Sequence, residues 1–358
     1  MRLSQGRLIA IGLVILALLG FVFLRGPTPH IAIKAETLES FGPFNLTNTV
    51  MTSWIVVIIM IVLVYVGTRR RDLVPRGAQN FFEATLEAFY GLVVSIAGEK
   101  NGRRFFPVVA TIFFFVLMSN WLSLFPVFNA IGLVEEKEHG FVMEQTDVGP
   151  LPVGWVSLSS PSNLSADSID ENDPNAEEAF EEAKGEGKTV GELIPLFRGP
   201  NTDLNTPLAL AIASAIAVES WGIASLGLGY GRKFFNFGGM FRGLFRLNFG
   251  QVFQGAIDAF VGVLELISEL VRLVSFTFRL FGNMFAGEVV ILMFTFLTPL
   301  VLTIAFYGLE MFVGIIQAFI FATLTLVFGM MAVAHGEAHA NEKEHEEQAG
   351  AMAPEAQG

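Results

Sequence analysis

Residues 271–290 read VRLVSFTFRLFGNMFAGEVV and place one arginine, Arg279, between the apolar runs LVSFTF and LFGNMFAG. A guanidinium at the centre of a bilayer helix costs about 2.5–3.5 kcal/mol on insertion scales, and such charges face a bundle interior, a water-filled cavity or a partner charge. Arg279 cannot escape by losing its proton, because the group stays charged to above about pH 12. A leucine would meet no such penalty, so a compensating charge or a function is implied.

The surrounding chain fits a membrane setting. Of its 358 residues 53% are hydrophobic and only 16% charged, against about 25% charged in ordinary soluble domains. Several runs exceed the ~20 residues a spanning helix needs, so the predicted class is an all-α polytopic membrane protein. The absence of cysteine excludes structural disulfides, thiol catalysis and Cys-ligated metal. Lysines and arginines are few and mostly flank spans, which argues against a nucleic-acid partner. No GxxxxGK[ST] loop occurs, so no nucleotide site is expected, and no cofactor or metal. His335, His339 and His345 sit irregularly in a polar tail and read as solvated rather than as a metal site.

Outward from Arg279, the chain divides into five stretches. Residues 1–26 carry an apolar run at 8–24 and read as a signal peptide or an extra span; no small-x-small cleavage site follows, which favours retention. Residues 27–128 comprise a polar exterior segment, a span at 51–66, an amphipathic interfacial helix at 78–97 and a span at 105–126. Arg69, Arg70 and Arg71 place their end in the cytoplasm by the positive-inside rule. Residues 129–199 form an acidic exterior insertion. From 135 to 192 it holds fifteen acidic residues against three lysines and reads as loosely ordered, with a short helix near 176–184. Residues 200–334 begin with a capped span, where Asp203 or Thr206 serves as cap, followed by basic Arg232, Lys233, Arg242 and Arg246 on the cytoplasmic side. The stretch 234–250, Gly- and Phe-rich, reads as interfacial. Residues 335–358 read as a disordered cytoplasmic tail.

From 251 to 298 there is no proline. A helix of that length runs on the order of 70 Å against a hydrocarbon core of about 30 Å, so it must tilt or bend. Pro299 breaks it and a second run, 302–333, returns, which predicts a long tilted hairpin with its tip outside. On the first arm Glu265, Glu269, Arg272, Ser275, Arg279 and Asn283 are spaced 4, 3, 3, 4 and 4 apart, one stripe of a helix. Counting from Pro299 brings Arg279 level with Gln317, and Glu288 level with Glu310. Three depths of polarity result: an outer carboxylate pair, a central cation with an amide, and an inner acidic cluster. Adjacent carboxylates in a low dielectric exchange protons readily, and a fixed cation between two acidic regions bars protons from passing straight through. Blander readings stand beside these. Glu265 and Glu269 can simply pair with Arg272 within the helix, Gln317 can be a packing hydrogen bond, and Glu219 is an intramembrane carboxylate with no assigned role. On the residues alone, an ion-translocating subunit of a larger complex and a stand-alone proton-coupled transporter fit about equally, although the transporter predicts an internal repeat of broken helices that the sequence lacks.

FRLFGNMFAGE (278–288) with QAFIF (317–321) resembles the a-subunit family of F-type ATP synthases. SNWLSLFP (119–126), PNTDLNTPLALA (200–211) and VPRGAQNFFE (74–83) support the likeness, which covers roughly residues 40–335. The resemblance implies five family helices and a stator that offers two offset proton half-channels to a ring of c subunits, coupling ion flow to rotation. It implies the c-ring and the peripheral-stalk b subunits as partners, and the bacterial inner membrane as location. The coupled ion is a proton, or sodium where the ring selects it. By the same resemblance Arg279 is the essential charge facing the ring carboxylates, with Asn283 and Gln317 as polar neighbours. Glu288 and Glu310 form the exterior titratable pair, with Asp203 and Asn205 near that channel's mouth. Glu265, with Glu269, Arg272 and Ser275 along the stripe, lies at the cytoplasmic half-channel. The chain departs from the family in carrying Glu310 where some bacterial members have histidine, in the long acidic insertion and in the run at 8–24.

Overall fold

The computed structural model describes, with short gaps, residues 31–69, 77–148, 151–169, 176–231, 249–297 and 301–351, together with a few isolated positions. The readings made for the apolar run at 8–24, for Arg70 and Arg71, for the basic stretch 232–248 and for Pro299 fall almost wholly outside these residues. The described chain contains five helices long and apolar enough to cross a membrane.

The first helix, α1, spans Asn48–Thr68. Its start is set by polar side chains that take up free backbone N–H groups: Thr47 Oγ1 accepts from Val50 N at 3.4 Å, and Asn48 Oδ1 from Thr49 N at 2.9 Å. Such partners replace the intrahelical bonds that the first turn lacks. Ahead of it, β1 (Thr37–Phe41) and β2 (Phe44–Thr47) pair antiparallel, with Phe41 opposite Phe44. Gly42 takes the positive φ that this tight turn needs. The segment expected only to be polar is therefore a β-ribbon.

Helix α2, Ala78–Leu122, is two helices joined at Gly98, whose φ of 70° and ψ of 167° lie in a region essentially open to glycine alone. The break falls where the amphipathic stretch was predicted to end, seven residues before the predicted start of the span at Phe105. Helix α4 covers Asn205–Leu226, after a single 3-10 turn at Pro200–Thr202. Helix α5 covers Phe249–Leu297 and α6 covers Val301–Ala351; α3 is the short helix Ala176–Gly185 of the insertion. Near the ends that face each other in sequence, Phe294 of α5 stacks on Phe306 of α6 with ring centroids 4.2 Å apart.

Two compact units partition the chain. The first holds Met1–Leu63, Phe115–Thr206 and Leu280–Gln317. The second holds Val64–Phe114, Pro207–Arg279 and Ala318–Gly358. In the second unit the core is aromatic: Phe105 stacks on Trp221 at 4.2 Å and Phe89 on Phe113 at 4.4 Å. Gly329 admits the Trp221 ring, whose nearest atom lies 2.6 Å from where a Cβ would stand. Ser214 and Thr325 join α4 to α6 by a buried hydroxyl pair at 2.7 Å, a way for membrane helices to satisfy polar groups away from water.

The insertion, in the first unit, corrects the expectation of a loosely ordered loop. Strand β3 (Gly132–Val148) pairs antiparallel with β4 (Leu151–Val156), β7 (Ser168–Ile169) and β8 (Thr189–Pro195); β5 (Leu158–Ser160) and β6 (Asn163–Ala166) pair separately. Val142, Ile169, Ala183 and Val190 are buried together with Phe180 packed on them. The expected short helix is present as α3. The sheet escaped the sequence reading because its main pairing joins residues some sixty positions apart, Gly132 with Pro195, and local alternation does not report such partners. The tail expected to be disordered is helical as far as Ala351. Its Ala, Glu, Lys and Gln residues are strong helix formers, and the first proline downstream of Ala334 is Pro354.

The insertion closes on itself at its base, where Val134 pairs with Leu193 and Leu196 N donates to Ile131 O at 3.0 Å. Replacing residues 135–192 by a short Gly-containing turn is therefore expected to leave the membrane helices folded and the protein inserted at close to its native level. Loss of membrane insertion on that replacement would show that the sheet supports the helices.

Candidate functional site

The polar stripe on α5 is held in place by the apolar stripe beside it. In the second unit, Phe276 is buried and packs on Phe321 and Phe328 of α6, at centroid distances of 4.9 and 5.7 Å. Leu280 and Met284 continue that buried line at intervals of four along the same helix. Since successive residues turn by about 100°, fixing 276, 280 and 284 inward leaves 275, 279 and 283 on another face. Ser275, Arg279 and Asn283 are all exposed. Among the described residues no side chain bonds to the Arg279 guanidinium.

Deeper along the stripe, Arg272 donates to Glu269 at 2.8 Å and lies over the Phe328 ring, its guanidinium carbon 3.8 Å from the centroid. This local pairing is the plain intrahelical alternative, realised for Glu269 and reinforced by a cation–π contact. Glu265, one turn further, is half-buried on the same stripe.

The first unit gathers a larger set of buried polar groups. Asp203, 3% exposed, accepts from the Thr49 hydroxyl at 3.3 Å and from the Asn205 amide at 3.0 Å, so it ties the start of α4 to the first turn of α1. Asn201 donates to Asn120 Oδ1 at 2.7 Å, and Asn120 donates on to the Gly314 carbonyl of α6 at 3.2 Å. Trp121 Nε1 donates to Met311 O, also at 3.2 Å. Gly314 permits this approach, for a Cβ there would lie 3.1 Å from that of Asn120. The SNW sequence thus acts as a clamp on α6 through two side-chain donors. Gln317, three residues beyond Gly314, is buried.

Glu310 lies with its carboxylate against Gly287, one residue before Glu288, and any Cβ at position 287 would overlap it. Its Oε1 is buried and, among the described residues, without a hydrogen-bond partner. Glu288 accepts from Arg198 at 3.3 Å. Arg198, 4% exposed, was not singled out from the sequence; neither were Asn120, Asn201 and Thr49 given roles. Arg198 had one visible signal, as an isolated arginine at the end of an acid-rich insertion, one glycine ahead of PNTD. Among the described residues there is no group of three or more His, Cys, Asp or Glu placed to hold a metal.

Carboxylates, amides and hydroxyls buried among apolar helices, with a permanent cation on an open helix face, define a membrane protein built to pass ions. Comparison with known proteins agrees with that class. A family model, ATP synthase A chain, matches residues 50–329. An ATP synthase subunit a from Moorella thermoacetica is 30% identical over 297 residues, 83% of this chain and 95% of the relative. Those of Gloeobacter violaceus and Syntrophobacter fumaroxidans are 28% and 25% identical, covering 83% and 85% of this chain and 89% and 91% of their own. The chain belongs to the ATP synthase A chain family. A stand-alone transporter is thereby set aside.

The contact between Gly287 and Glu310 is a sensitive point of the site. Gly287→Ala is expected to displace the Glu310 side chain and to lower proton flux about tenfold, equivalent to ~1.4 kcal/mol in a barrier, while assembly is retained. Flux through vesicles carrying the assembled complex measures it; unchanged flux would mean that Glu310 is free to move without consequence.

Proposed function

We propose that the open face of α5 at Ser275, Arg279 and Asn283 is the surface on which a c-ring turns, and that the buried polar groups of the first unit belong to one of two half-channels reaching it. The chain is the ion-translocating, non-catalytic stator subunit of a rotary ATP synthase, a multi-pass membrane protein that supplies offset proton half-channels to the ring. ATP chemistry sits on other subunits. The partners are the c-ring and the peripheral-stalk b subunits, and the membrane is the bacterial inner membrane, with the insertion and the turn between α5 and α6 outside.

The observation that carries this reading is the exposure of Arg279 on a helix whose adjacent face is locked by Phe276 and Leu280. A charge so held meets whatever passes that face. A ring carboxylate arriving there is favoured in its ionised form and gives up its proton before it passes. It is re-protonated from the other half-channel. On the exterior side Asp203 and Asn205 stand near the mouth, and Glu288 and Glu310 hand protons inward. On the cytoplasmic side Glu265 and Glu269 receive them, with Arg272 and Ser275 along the same stripe. By the resemblance Asn283 and Gln317 serve as neutral polar residues of the same pathway. Arg279 itself blocks direct hopping between the two acidic regions, because its charge repels a proton at every working pH.

Glu310 tests the exterior route. Glu310→Gln keeps the shape and removes the titration, so proton flux is expected to fall and its pH dependence to change. Glu310→His restores a titrating group near neutrality and is expected to recover part of the flux. An unchanged pH–flux profile for Glu310→Gln would remove this residue from the pathway.

A further inference from the structure

Arg198 joins three parts of the first unit through one side chain. Its guanidinium donates to Ala32 O at 2.6 Å and Lys34 O at 3.2 Å, both in the segment ahead of β1. It donates to Thr202 O at 3.4 Å, in the turn before α4, and to Glu288 Oε2 at 3.3 Å on α5. The residue is 4% exposed, so these contacts are made away from bulk water. A planar guanidinium with five donors is the one side chain able to bind three carbonyls and a carboxylate at once. Beside it lies a small recess of about 20 Å³, room for about one water molecule, lined by Ile31, Ala32, Glu36, Arg198, Glu288 and Leu292 among others. Its polar lining comes from the carboxylates of Glu36 and Glu288 and from the Arg198 guanidinium, which bonds Glu288. Its remaining walls are apolar.

We propose that Arg198 is a positioning residue of the ion pathway: it draws the segment at 31–36 over α5 and holds Glu288 at the wall of this recess, which is the mouth where hydrated protons reach the exterior half-channel. This rests on the role given above to Glu288. Fixing the carboxylate matters because proton transfer falls off steeply when donor and acceptor are out of hydrogen-bond reach. Holding the backbone of 31–36 matters because the recess exists only where that segment stands against α5. Glu36, on the same segment, gives the mouth a second carboxylate and makes it selective for cations.

The test uses vesicles carrying the assembled complex and reads ATP-driven proton pumping, with ATP hydrolysis by the purified complex as the check on assembly. Arg198→Ala is expected to lower pumping about tenfold, as for a misplaced transfer group, and Arg198→Lys to recover part of it by keeping a charge near Glu288. Because the chain has no native cysteine, Ile31→Cys gives it a single thiol for a bulky impermeant reagent, with the unmutated complex treated identically as the control for thiols on other subunits. Modification is expected to block pumping, and this arm keeps the native Arg198 and so stands even if Arg198→Ala fails to assemble. Equal pumping by Arg198→Ala and Arg198→Lys, or pumping untouched by a modified Ile31→Cys, would overturn the proposal. Glu288→Gln separates the two levels. If it pumps fully, the pathway reading itself fails; if it is impaired while modified Ile31→Cys is not, only the role of Arg198 and its recess fails.

Discussion

A permanent positive charge in an apolar helix constrains everything around it. Arg279 cannot neutralise itself, and its immediate neighbours in the chain, Phe278 and Leu280, are apolar. The protein answers by packing rather than by pairing. Phe276, Leu280 and Met284 are drawn inward, and α5 is thereby fixed in rotation, leaving Arg279 with Ser275 and Asn283 on a face that the described residues leave exposed. An arginine that only anchored lipid would sit near a helix end and snorkel; this one stands thirty residues from the start of α5 and eighteen from its end.

The remaining polar contacts keep that helix and its companion α6 where the charge is useful. Asn120 and Trp121 reach two carbonyls of α6, and glycine at 314 lets them come close. Arg272 is engaged by Glu269 and the Phe328 ring, whereas Arg279 has no side-chain partner among the described residues. Gly287 makes room for Glu310 in the same manner that Gly314 makes room for Asn120. In each case a missing side chain on one helix admits a polar group from another, which is how membrane helices bring backbones and functional groups together without voids.

The membrane helices were legible because span length and apolar content are local properties. The amphipathic pattern read at 78–97 ends beside the break at Gly98, while the continuous apolar run begins only at Phe105, after the polar EKNGRR. Spacing alone predicted the stripe on α5, since a helix converts intervals of three and four directly into a face. What could not be read were contacts between distant stretches. Nothing near Arg198 in the chain points to Ala32 or Glu288, and nothing in the acidic run announces that β3 finds β8. Excess negative charge suggested disorder, yet four apolar side chains drawn from separate elements suffice for a small core. In the tail the same polar composition misled in another way, because Ala and Glu favour helix even where no packing calls for it.

The central claim is that the charge at position 279 both governs the ring carboxylates and seals the route between the half-channels. The direct measurement is passive proton flux together with proton-driven ATP synthesis in vesicles carrying the complex with Arg279→Ala. Loss of synthesis accompanied by a proton leak absent from the native complex is the predicted result. Substantial coupled synthesis by Arg279→Ala would contradict the account.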